Sequence, residues 1–195
     1  MSCASGASPS PSRRGSRSAT DGATTTEEGE ELAELTNLEE KLAEVIGLAM
    51  AAQAATERVE KLLDSKQKGL ARSLKQMRKE AAEAEQRATE VAGTLQGKKG
   101  AVLKKAREVR GKAQAMMKDY LERGSDGLDG YEFLTMAEAG EVGHWAVLGQ
   151  MNKQAGNKEI RSLVSWQLPI QRRHLKDVQA GALTLAADED PNATG

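Results

Sequence analysis

The chain predicts an all-α protein, an antiparallel bundle of long helices behind a disordered N-terminal tail. Three observations carry that expectation. Apolar residues recur at alternating steps of three and four over most of the length, the repeat that keeps one face of a helix buried. Ala, Glu, Lys, Leu and Arg dominate while aromatics make up only 3% of 195 residues, which is the composition of long packed helices and not of strands. Residues 1–25 are Ser, Thr, Gly, Pro and Arg with almost no apolar side chain, so they cannot bury enough surface to offset their ordering entropy.

The elements follow in order. Thr25, with Glu28 three residues on, has the spacing of a capping box. From there Leu35, Leu38, Leu42, Val45, Ala49, Ala52, Thr56, Val59 and Leu63 form a heptad seam that predicts a helix over 27–64. A second seam, from Leu70 through Met77, Ala84 and Val91 to Leu95, predicts a helix over 66–95. "QGKKG" at 96–100 interrupts it, and a third seam from Val102 to Tyr120 predicts 101–123. "RGSDGLDG" at 123–130 reads as a loop. A fourth helix is expected over 129–155, with Asp129 and Glu132 as its capping pair. Gly156 reads as its stop and Asn157 as the next N-cap. The fifth spans 158–187, with Pro169 removing one backbone hydrogen bond inside it. The helices together make a bundle over 26–190.

Charge and cysteine content exclude several classes. A net charge of −1 gives no global attraction to nucleic acid or membrane. The single cysteine, Cys3, excludes an intramolecular disulfide and a cysteine metal cage. No stretch approaches the roughly 18 apolar residues a bilayer span needs, and the N-terminus lacks the apolar run of a secretory signal. A cytoplasmic address is the expectation. Residues 27–64 hold 11 Asp/Glu against 3 Lys/Arg, whereas 98–118 hold 8 Lys/Arg. The simpler reading sets an acidic helix beside a basic one. The sharper reading makes 98–118 a face for nucleic acid or another polyanion, although it lacks interleaved aromatics.

Four of the five aromatics fall between Tyr131 and Trp166, and both histidines lie in the last two helices. Any site is expected there. Along the fourth helix the seam reads Leu134, Ala137, Glu141, His144, Leu148 and Met151. Steps of three and four put Glu141 and His144 one turn apart on the apolar face. A carboxylate on such a face costs several kcal/mol, on the order given for any buried ion, unless it is paired, protonated or metal-bound. Gly140 and Gly143 flank the pair, and each costs about 0.5–1 kcal/mol relative to alanine, so a close approach by a neighbouring helix is expected. On the fifth helix Gln167, Gln171 and His174 make a polar strip at the inner face. The two histidines are expected to converge. A buried hydrogen-bonded pair, a single metal ion and a two-metal centre all remain open readings of Glu141 and His144.

Other chemistries find no support. "SDGLDGYEF" has the glycine of a calcium loop, but Gly127 and Met136 stand where oxygen ligands are required. The glycine pairs follow no strand, so no phosphate loop is formed, and no Ser or Cys can be matched to a histidine.

Glu-x-x-His, Glu141 and His144 here, is half of the ligand pattern of ferritin-like di-iron bundles, which add a Glu from each of two further helices. Together with "LPIQRRHLKDV" and "ALTLAADEDP" near the C-terminus, it makes this chain resemble the bacterial stress-associated ferritin-like family. The resemblance is loose over 30–190 and closer over 129–191. It implies a four-helix bundle with a stress role, iron or manganese as cofactor, and Glu138, Glu141, His144 and His174 as metal ligands between the last two helices. Where the second motif should have Glu, this chain has Gln171. The expectation is therefore a bundle that binds a metal ion between the last two helices weakly or not at all and is not an efficient enzyme, self-associating because its first three helices carry few aromatics. A di-iron oxidase and a polyanion-binding scaffold are the alternatives.

Overall fold

A computed structural model describes residues 33–193, and among these the chain is all-helical, with five helices and no strand. They are α1 (Asn37–Glu60), α2 (Lys68–Gly93), α3 (Lys99–Tyr120), α4 (Gly127–Ala155) and α5 (Lys158–Ala186). None is long and apolar enough to cross a membrane. The expected tail at 1–25 and the Thr25–Glu28 cap lie outside the described residues.

Local hydrogen bonding sets the helix starts. Helix α1 does not begin at 27, because residues 33–36 are non-helical. Its capping box is formed by Thr36 and Glu39, each side chain bonding the other's backbone N–H, which satisfies two otherwise orphaned donors. Likewise α4 starts two residues before the expected position. Asp126 is the cap, and Asp129 serves as its third-residue partner and not as the cap itself. The C-terminal stop of α4 is as the sequence predicts: Gly156 takes φ 71°, and Asn157 caps α5 by accepting from the Ile160 N–H at 2.9 Å. Helices α2 and α3 have no side-chain cap at their N-termini. Helix α2 is two residues shorter at each end than the expected 66–95, and α3 starts two residues before the expected 101 and ends three before 123.

Packing explains why α1 buries more than a heptad stripe. It contacts α2, α3 and α4, while α5 closes the circuit by packing on α4 and α2. Leu42, Ala43, Val45, Ile46, Ala49, Ala52 and Val59 are therefore all buried, covering most of the helix circumference. Cross-contacts fix the directions. Glu60 reaches Arg78 at 2.9 Å across α1 and α2, and Gln53 reaches Glu85 at 2.6 Å, so the two run antiparallel. Lys98 pairs with Glu39 at 2.8 Å, and Gly47 meets Ala106 and Val109, so α3 runs alongside α1 in the same direction. The acidic and basic helices are thus neighbours, with Lys105 also 3.7 Å from Glu40. Two apolar clusters form the core. One contains Leu42, Ile46, Val102, Trp145 and Ile160, and the other contains Val59, Leu74, Tyr131, Leu134 and Val178.

The close helix approaches fall elsewhere than expected. An added Cβ at Gly140 or Gly143 would meet nothing within 4 Å, so neither glycine admits a neighbour. At Gly47 it would lie 2.4 Å from the Ala106 carbonyl oxygen, and at Gly181 it would lie 2.2 Å from the Tyr131 ring. Backbone and a buried ring cannot move aside cheaply. Gly47→Ala should therefore lower the unfolding free energy by about 1–3 kcal/mol. Gly143→Ala, on an open surface, should raise it by about 0.5–1 kcal/mol. Urea unfolding followed by circular dichroism measures both, and equal effects would contradict the assigned α1–α3 contact.

Candidate functional site

Three helices bring ionisable side chains to the middle of the bundle. From α4 come Glu138 and Glu141, 2% and 5% exposed; from α5 come Gln167, Gln171 and His174, each at most 2% exposed. The third contributor is Glu80 of α2, whose carboxylate accepts from His174 Nε2 at 2.6 Å and from Gln76 at 2.8 Å, and also binds Arg173. On its other side the His174 ring presents Nδ1 to Glu138 Oε2 at 3.7 Å. Gln171 donates its amide to the same Glu138 oxygen and accepts from Gln167 Nε2 at 3.0 Å. The Gln167 Oε1 atom is buried with no partner among the described residues.

Electrostatics assign the charges. Burial pushes the Glu80 carboxyl up, but hydrogen bonds from His174, Gln76 and Arg173 outweigh it and hold the group below the usual range. Burial lowers His174 despite the pull of Glu80. Glu138 is raised well above the ordinary value, first by burial and then by the neighbouring Glu141 carboxyl. Glu141 is pushed up to about 8 by burial. Near neutrality the cluster therefore holds an ionised Glu80 balanced by Arg173, a neutral imidazole and two protonated acids. A buried charge without a partner is avoided throughout.

The four residues singled out by the sequence do not come together. Glu138 and His174 meet. Glu141 instead faces a cavity of about 160 Å³ between α1, α3 and α4. His144 does not turn inward: its side chain is 39% exposed, and Nδ1 lies 2.9 Å from Glu44 of α1. The reason is angular. His144 is three residues beyond Glu141 and one before the fully buried Trp145, so the large ring takes the inner position and the imidazole falls at the rim. The two histidines thus engage different carboxylates on different helices. Among the described residues no three His, Cys, Asp or Glu side chains are gathered closely enough to hold a metal ion.

Glu80 and Glu44 are the residues that sequence reasoning missed. Glu80 stands three residues after the buried Met77 and four before the buried Ala84, so helical spacing alone could have put it at the inner edge. Glu44 offers no such signal, because its partner lies 100 residues away. No family model, curated protein or solved structure matches the chain.

The protonated acids set the pH response. An acid raised by folding binds its proton more tightly in the native state. Its stabilisation is complete below the ordinary 4.5 and is lost as pH climbs toward 8 for Glu141. The lowered Glu80 and Glu44 act oppositely, losing their contribution as pH falls. Glu141→Gln should therefore reduce the loss of stability between about pH 5 and pH 8. Urea unfolding at the two pH values measures it, and an unchanged difference would mean Glu141 is ionised in the native chain.

Proposed function

We propose that this chain is a ferritin-like, stress-type helical bundle that works without catalysis, its central cluster fixing the register of three helices. The observation that carries the reading is the Glu80–His174–Glu138–Gln171 network, which joins α2, α5 and α4 in the bundle core, the part of a ferritin-like bundle that carries metals. Helix order supports it as well. The cycle of contacts runs α1, α2, α5, α4, and α3 bridges the second and third members of the bundle as the single crossover of that architecture does. The Gln171-x-x-His174 spacing matches the second ligand motif with an amide in place of the acid.

The donor set argues against iron or manganese in a two-metal centre. Such a centre takes carboxylates from all four helices and two imidazoles. Here α1 brings Thr56, bonded to its own Ala52 carbonyl, His144 stands at the rim, and both acids of α4 hold protons. An oxidase role therefore has no support from these residues. The polyanion reading is weakened by the pairing of Lys98 and Lys105 with α1 acids. Self-association belongs to the proposal through the exposed Leu183, Val147 and Met136.

Metal titration tests the reading. Mn(II), or Fe(II) added without oxygen, should give no stoichiometric uptake and no rise in thermal midpoint. Gln171→Leu should cost about 1–3 kcal/mol by leaving Glu138 without its donor. Uptake of two ions per chain, abolished in a folded His174→Ala variant, would overturn the proposal.

A further inference from the structure

The cavity beside the cluster exists because α3 lies along α1 without packing closely on α4 over most of its length. The two approach at the end of α3, where the Tyr120 and Phe133 rings stand 5.6 Å apart. Before that point three of the four α1 residues on the cavity are alanines, beside Leu48, and α3 brings Ala113 with Gln114, Met116 and Met117. Methyl groups are too short to fill the gap, and about 160 Å³ remains. An apolar cavity of about 150 Å³ holds a benzene ring.

One wall is polar. Glu141 lines the cavity, is 5% exposed, and makes no hydrogen bond or ion pair with any described residue. A carboxyl at a largely buried position without a partner is costly, so this one is free to bind a ligand that enters the cavity. Glu138 lies beside it, and no Lys or Arg lines the space. An anion would face two acids with no countercharge. A metal ion would find two carboxyls, the His144 imidazole at the rim and the Gln114 amide among apolar residues, too few oxygen donors for a hard cation. An ammonium group meets the charge, and a hydrocarbon body fills the rest.

We propose that the cavity between α1, α3 and α4 is a binding site for a small organic cation with an apolar body, its ammonium head seated on the Glu141 carboxyl. The site does not depend on the ferritin-like reading, since it is formed by α1, α3 and α4 alone. Glu141 carries a proton below about pH 8, so ammonium capture at neutral pH expels that proton and leaves an ion pair. The other titratable groups around the cavity are Glu138 on α4, and His144 with its partner Glu44 on α1. Helix α3 contributes none to the lining.

Calorimetric titration of the full chain with benzylammonium tests the site, with benzyl alcohol and benzoate as isosteres. The expected result is one saturable site for benzylammonium, tighter than for either isostere by at least about tenfold. Its heat should depend on the buffer in the manner of proton release. Glu141→Gln, nearly isosteric with the protonated acid, should fold and lose that preference. Ala113→Leu, which fills the cavity from α3 and leaves the carboxyl intact, should abolish binding. Absence of saturable binding, equal binding of either isostere, or unchanged affinity in a folded Glu141→Gln chain would overturn the proposal. Should Glu141→Gln fail to fold, unchanged affinity in Ala113→Leu would do so by itself.

Discussion

The bundle depends on neutralising ionisable groups that its own packing has taken out of water. Burying a carboxylate is expensive, and several kcal/mol per ion is a fair order of magnitude. The chain meets that cost in two ways at one place. Glu80 keeps its charge because Arg173 and the His174 N–H face it from α5. Glu138 and Glu141, deeper and further from any cation, keep their protons instead. Because Glu80 of α2 and Glu138 of α4 are both held by side chains of α5, the cluster forms only when the three helices are in register. Apolar seams alone would tolerate sliding by a turn, and this network does not.

Helix α1 supplies the complementary constraint. It touches three neighbours and is buried around most of its circumference, which demands small side chains on several faces at once. Ala43, Ala49, Ala51, Ala52 and Ala55 meet that demand. The same choice that lets the helices approach closely leaves space where α3 and α4 diverge. Close packing at Gly47 and the void below Ala51 are two outcomes of one composition.

Much of this was legible in the sequence. Alternating steps of three and four located all five helices, and Gly156–Asn157 marked the α4–α5 turn to the residue. The helix starts were harder to read, because Thr36 and Asp126 close their capping boxes by local bonds that a spacing pattern does not rank above those of their neighbours. At the site, helical spacing put Glu141 and His174 on or near inner faces, where both are buried, but it could not rank two adjacent residues by size. Trp145 outcompetes His144 for the interior, since burying an indole gains far more than burying an imidazole. The partners of these groups come from α1 and α2, about 90 to 100 residues away in the chain, a distance over which helical periodicity says nothing.

Helix α3 stands apart in how it is held. It has no capping side chain at its start, and its packing is almost entirely against α1. Its removal would leave the cycle of α1, α2, α5 and α4 unbroken. The cavity it lines reaches the surface beside it, at Met116 and Met136, 47% and 44% exposed. A guest of the cavity would enter past α3 without parting α2, α4 and α5, which separates the doorway from the lock that holds the bundle together.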